Sequence, residues 1–226
     1  MSDEQKRSLE PLGPAKSLVA RGMYALNRAI ARRVFRLRVE GTEHLPKEGP
    51  FVLASNHVSS LDPCAIAAAL DYHQLRHVYW AGRKDTAFSN QFKRLMCRLA
   101  HVVPIDPHRA VFSSLAFGAS VLRRGEMLVW FPEGHRSHSG ELQPFRPGIG
   151  MLLNRFPVPV VPVFVWGTHE AMPPGKAWPR PTKLTIVFAK PLDPRELRQR
   201  GEGDQPQDHI VQALYEHVKE LVDART

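Results

Sequence analysis

Short uninterrupted apolar runs alternate along this chain with stretches of helical spacing, and that alternation constrains the fold more than any other feature. The runs 51–54, 77–81, 102–105, 127–131, 158–166 and 184–188 have the length of strands and lack the polar alternation of a half-exposed sheet. Residues 36–41 read as the start of the sheet. Between the runs, 63–70, 88–99 and 110–124 read as helices, the last ended by Gly125. Strands separated by helices predict an α/β fold with a mostly parallel sheet flanked by helices. A chain of 226 residues that is 43% apolar can bury one substantial core, so one domain with an N-terminal appendage is expected.

Residues 55–63, Ser-Asn-His-Val-Ser-Ser-Leu-Asp-Pro, form the turn from the 51–54 run into the next helix. His57 and Asp62 are five residues apart, which puts them on opposite faces of a strand and about 140° apart around a helix. Only a turn lets them touch. Asp62 ahead of Pro63 predicts a helix N-cap, and the positive helix end favours a carboxylate there. One of its oxygens can accept the Nδ1 proton of His57 and leave Nε2 as a free base. Read alone, a loop histidine such as His57 is more often a surface or hydrogen-bonded structural residue, and Asp62 could be only a cap.

A second constellation, Phe131-Pro132-Glu133-Gly134-His135-Arg136-Ser137, follows the 127–131 run directly. Gly134 permits tight backbone geometry, and the planar fork of Arg136 suits a phosphate or carboxylate. Glu133 and Arg136 could instead pair with each other. Arg83 and Lys84 stand just past another run, at the strand end where open α/β sheets keep their ligands.

Asn56, His57 and Asp62 resemble the first motif of the glycerolipid acyltransferase family, the lysophosphatidic acid acyltransferases and their relatives. The stretch 131–137 resembles the family's third motif, Phe-Pro-Glu-Gly-Thr-Arg-Ser, with His135 in place of Thr. Phe145-Arg146-Pro147-Gly148 is similar to the Phe-Lys-x-Gly that follows it, and 158–163 to the fourth motif, a proline-containing apolar strand. In the second motif the family has an acceptor-binding Arg; here Pro107 holds that place and Arg109 is the candidate. The resemblance runs over residues 40–190.

It implies an acyltransferase domain over 40–226, after a leader and basic helix over 1–39. His57 and Asp62 would be catalytic, and Glu133, Gly134, Arg136, Ser137, Lys84, Arg83 and Arg146 would bind substrate. The implied reaction moves a fatty acyl group from a thioester, acyl-CoA or acyl carrier protein, to the hydroxyl of a lysophospholipid, lysophosphatidic acid first. Other acceptors are a lyso-ornithine lipid or lysophosphatidylglycerol. From another class, the chain could be a non-catalytic basic module on anionic membranes. No cofactor or metal is expected, since His135 and His138 have no nearby ligands to complete a site. Gly-x-Ser-x-Gly is absent, so Ser59 and Ser60 read as turn residues, and Gly148-Ile149-Gly150 lacks the third glycine of a dinucleotide fingerprint.

A net charge of +9 implies an anionic partner. Residues 16–38 hold seven basic side chains and no acidic one, with Val19, Met23, Leu26, Ile30, Val34 and Leu37 in one apolar stripe and Arg21, Arg28, Arg32 and Arg36 opposite. Such a helix either lies in a membrane interface or packs its stripe on the protein's own core. There is no apolar run of 18 residues and the N-terminus is polar, so neither a membrane span nor a signal segment is expected. Cys64 and Cys97 suit a reducing compartment. The expected place is the cytoplasmic face of the cell membrane, held peripherally. No nucleic-acid partner is expected, as the basic residues lack interleaved aromatics and any helix-turn-helix or zinc pattern. Residues 1–15 read as a loose leader and 193–207 as a polar loop. A final amphipathic helix carries Ile210, Val211, Leu214, Val218 and Leu221.

Overall fold

The computed structural model describes residues 2–106 and 110–224. Seven strands, β1 (Arg38–Glu40), β2 (Val52–Ser55), β3 (Val78–Arg83), β4 (Val102–Ile105), β5 (Met127–Trp130), β6 (Val160–Trp166) and β7 (Thr185–Phe188), form one sheet in the order β1-β7-β6-β2-β5-β3-β4. The five from β6 to β4 are parallel; β7 meets β6 antiparallel and β1 runs parallel to β7. The helices are α1 (Asp3–Ser8), α2 (Pro14–Arg33), α3 (Asp62–Ala69), α4 (Tyr72–Leu75), α5 (Lys84–Ala87), α6 (Gln91–Leu99), α7 (Ala110–Arg123), α8 (Gly148–Arg155), α9 (Thr168–Ala171), α10 (Pro194–Arg200) and α11 (Pro206–Asp223).

The two-residue strand period divides the apolar runs between two cores. Val52, Ala54 and Leu128 face one core, filled by Phe117 and Val121 of α7, Ile149 and Leu152 of α8, and Leu214 and Val218 of α11. Leu53, Val129, Val161 and Val163 face the other, filled by Ala65 and Ile66 of α3 and by Phe35 just past α2. Both faces of β2, β5 and β6 are therefore covered, which is why these strands read as unbroken apolar runs. β2 lies between β6 and β5, so its carboxyl end opens at the middle of the sheet edge.

Three local expectations change. The 1–15 segment is not a loose leader. Ser2 and Gln5 make a capping box for α1, the Gln5 amide donates to Pro104 O (2.9 Å) and Ser113 Oγ (2.8 Å), and Leu9 enters the α7 core. The 193–207 segment contains α10, capped by Asp193 and anchored by the buried Leu197. Asp62 does not cap α3: Leu61 holds the N-cap position, and Asp62 is the first helical residue with its carboxylate turned back towards 57–59.

Helix α2 packs on α3 with a face the apolar stripe does not include. Tyr24 Oη donates to Leu70 O and Asn27 Nδ2 to Cys64 O, both at 2.9 Å, and Ala31 is buried. Leu26 is left 62% exposed and Ile30 42%, beside Leu18 and Val19. Val34 and Leu37 lie past the helix end. Helix α6 adds the exposed Phe92 and Leu95 next to α2. No helix among the described residues is long and apolar enough to cross a membrane.

Candidate active site

At the end of β2 the chain is locked to β6 before it leaves the sheet. Asn56 Nδ2 donates to Val165 O (3.0 Å), and Val165 N donates to Asn56 Oδ1 (2.8 Å). The next residue, His57, is thereby placed at the sheet edge with its backbone held from both ends. Its N–H donates to Glu133 Oε1 at 2.6 Å, and its carbonyl accepts from Ser137 N at 2.8 Å. The imidazole lies flat on Phe131, with ring centroids 4.0 Å apart.

His57 Nδ1 is 2.8 Å from Asp62 Oδ2. A carboxylate can only accept, so the Nδ1 proton sits in that bond and the neutral ring keeps its Nε2 lone pair outward. Asp62 is wholly buried, and its burial is compensated by hydrogen bonds. Oδ2 also accepts Val58 N (2.8 Å) and Ser59 N (2.9 Å), while Oδ1 accepts the Thr168 hydroxyl at 2.6 Å. The His57 side chain keeps 18% of its surface, enough for one edge to reach a substrate.

Glu133 is fully buried. Its second oxygen accepts Gln143 N at 3.0 Å, so both oxygens hold backbone amides and neither reaches Arg136. Burial pushes its carboxyl up to about 7; the N–H donors of His57 and Gln143 pull the other way, and the nearby Asp62 adds to the rise. Gly134 has φ 74°, and a Cβ there would fall 2.7 Å from Arg146 Cδ, so the Arg146 side chain can cross it. Arg146 Nε donates to Glu133 O at 3.0 Å, and His135 Nδ1 lies 3.0 Å from the same carbonyl. Ser137 is buried beside Gln143 and Ser139. Arg136 is exposed, and its guanidinium donates to the hydroxyl of Ser60 in the His57 loop.

The chain thus gathers His57, Asp62, Glu133, Gly134, Arg136, Ser137 and Arg146 at one edge of the sheet. Arg83 and Lys84 stand at the end of the next strand but one, β3, and both are paired: Arg83 with Asp85, and Lys84 Nζ with Glu4 Oε2 at 2.7 Å. Pro107 and Arg109 lie outside the described residues. Thr168, Gln143 and the Asn56 lock on Val165 had no signal in the sequence, because each joins residues far apart or uses a backbone group.

The sequence model of the Acyltransferase family matches residues 36–166, more than half of the chain. The chain belongs to the acyltransferase family. The matched region begins just before β1 and ends with β6, and it contains the whole His57–Asp62 turn and the 131–137 stretch. This member of the family is 36% identical to the 1-acyl-sn-glycerol-3-phosphate acyltransferase alpha of Ovis aries over 57% of its own chain and 44% of that protein. It is 29% identical to the 1-acyl-sn-glycerol-3-phosphate acyltransferase of Limnanthes douglasii over 70% of its own chain and 54% of that one. The matched part spans less than half the length of the Ovis aries relative. Its fold is shared with the 1-acyl-sn-glycerophosphate (LPA) acyltransferase PlsC from Thermotoga maritima, with a TM-score of 0.70 and 24% identity, covering 98% of this chain and 87% of that one.

Within the acyltransferase fold the division of labour is physical. The 131–137 stretch holds the His57 backbone in place, Asp62 orients the ring, and Arg136 and Arg146 set positive charge at the rim.

Proposed function

We propose that this acyltransferase moves a fatty acyl group from an acyl thioester, acyl-CoA or acyl carrier protein, to the hydroxyl of lysophosphatidic acid. The observation that carries this reading is the 2.8 Å contact of His57 Nδ1 with a buried carboxylate, which leaves a base at Nε2, in a loop whose Ser60 is bonded by an exposed guanidinium. An alcohol is far too weak an acid to ionise at neutral pH, so it needs a base as it attacks. Nε2 takes the hydroxyl proton while the oxygen bonds to the thioester carbonyl carbon. The tetrahedral intermediate collapses, the C–S bond breaks, and the imidazolium returns its proton to the departing thiolate. Thiols have a pKa of about 8.5, so the sulfur leaves readily and no covalent acyl-enzyme is required. Arg136 and Arg146 offer charge-assisted hydrogen bonds to the acceptor phosphate. The names of the relatives supply the acceptor class.

The protein works on the cytoplasmic face of the cell membrane, held peripherally on anionic lipid. Support comes from the outward apolar side chains of α2 and α6 lying beside arginines, which suits an interfacial helix. Free thiol released from a long-chain acyl-CoA on adding lysophosphatidic acid tests the reaction, with lyso-ornithine lipid and lysophosphatidylglycerol as competing acceptors. His57→Ala should lower the rate by roughly 10²–10⁴-fold. A folded protein that releases no thiol with any acceptor would leave a non-catalytic membrane module.

A further inference from the structure

Asp62 is fastened through both oxygens, and the two fastenings come from different parts of the chain. Oδ2 takes its donors from its own loop, His57, Val58 and Ser59. Oδ1 takes the hydroxyl of Thr168, 106 residues away, at 2.6 Å. Both side chains are wholly buried. Thr168 is aimed there by Gly167, whose φ of 84° turns the chain back at the end of β6; a Cβ at that glycine would lie 2.2 Å from Lys183 O. The Thr168 side chain is wholly buried, so the packing around it keeps the hydroxyl on Asp62 Oδ1.

The 55–62 loop does not depend on this bond for its own shape. Asn56 is locked to Val165, and Ser59 Oγ donates to Met172 O at 2.7 Å. What Thr168 adds acts on the carboxylate. The terminal torsion of Asp is broad and two-fold, so without Thr168 the plane is set by the donors on Oδ2 alone and Oδ1 has no partner to oppose a swing. A swing of Asp62 carries the His57 ring with it and displaces Nε2.

We propose that Thr168 is a positioning residue for the acyl transfer: through Asp62 its hydroxyl fixes the plane of the His57 imidazole, so that Nε2 faces the acceptor hydroxyl. The kinetic part of this rests on the acyl-transfer reading; the orientation of the ring does not. Thr168→Val keeps the shape and removes the hydroxyl, and Thr168→Ser keeps the hydroxyl. In the full chain, with acyl-CoA and lysophosphatidic acid, Val should lower kcat by roughly ten- to a hundredfold, less than loss of the base itself. The acceptor KM should stay within about twofold, because Thr168 touches no part of the substrate. The NMR signal of the His57 Nδ1 proton should broaden or vanish in the Val variant and persist in the Ser variant, with kcat restored. If Val does not fold, Thr168→Cys, a much weaker donor of similar size, takes its place. A folded Val variant with normal kcat and an unchanged signal would overturn the proposal, as would a Ser variant as impaired as Val. A parent without thioester turnover, in which the signal is still lost with Val and kept with Ser, would overturn the reaction and leave the positioning role standing.

Discussion

The backbone N–H of His57 donates to Glu133 Oε1 at 2.6 Å, so the residue that would act as base is held by a carboxylate 76 positions later in the chain. Glu133 acts on the backbone of the site: it is fully buried, and its other oxygen accepts Gln143 N.

Its burial has a pH signature. The carboxyl titrates near 4.5 in an open chain and at about 7 in the folded one. Between those values the folded state keeps a proton that the unfolded state has lost, so stability falls as pH rises through the window and is level above it. Glu133→Gln cannot titrate. The parent's stability relative to this variant should therefore drop by on the order of 1–3 kcal/mol from about pH 5 to about pH 7.5. Urea unfolding of both proteins at the two pH values measures it; a constant difference would refute it.

His101 has the opposite signature. It stacks on Tyr79 with centroids 4.9 Å apart, and burial, helped by the Arg98 charge, pushes its pKa down from 6.5 to about 4. As pH falls through that range the unfolded chain takes up a proton that the folded chain refuses, so stability is lost towards acid. Asn tolerates the φ of 55° found there and does not titrate. Relative to His101→Asn, the parent should lose on the order of 1–3 kcal/mol between about pH 7 and about pH 4.5. The two windows overlap with opposite sign, so the parent's own pH curve hides both and only paired variants separate them.

Arg136 tests the acceptor. Arg136→Lys keeps the charge but loses the fork that grips a phosphate through two parallel bonds, so the change should not be conservative. The loss should be roughly tenfold or more in kcat/KM with lysophosphatidic acid, and small with an acceptor that lacks the phosphate. Steady-state rates for both enzymes on both acceptors give the coupling. Equal losses would show that Arg136 serves the Ser60 contact instead.

Membrane contact is best tested on side chains that carry no packing. Deleting residues 1–38 would take Leu9 and Phe35 out of the two cores, whereas Leu26 and Ile30 project outward. Leu26→Ser with Ile30→Ser should leave thermal unfolding nearly unchanged and weaken binding to anionic vesicles by roughly tenfold or more, since each apolar side chain is worth about 1.5–3 kcal/mol on full burial. Vesicle sedimentation at several salt concentrations checks this; undiminished binding would remove α2 from the membrane surface.

Much of the fold was legible because it rests on local signals. The unbroken runs around Leu53, Val129 and Val163 announce strands covered on both faces, and the Asn-His-x-x-x-x-Asp turn carries its chemistry within a few residues. Periodicity also found the α2 stripe, but not the face that packs. That face is chosen by Tyr24 and Asn27, polar residues that find the carbonyls of Leu70 and Cys64. Helix α10 was hidden because seven residues with one apolar anchor, Leu197, show no period.

By itself, then, the sequence determined the alternation of strands and helices, the pairing of His57 with Asp62 across a turn, and a second conspicuous stretch at 131–137 directly after a strand. Only the tertiary structure decided that β2 lies between β5 and β6. From that order follow the Glu133 hold on His57, the Asn56 lock on Val165 and the Thr168 bond to Asp62. The physical reason is one of range: periodicity and turn chemistry act over a few residues, whereas these contacts join groups 76 to 109 positions apart that meet because their strands are neighbours.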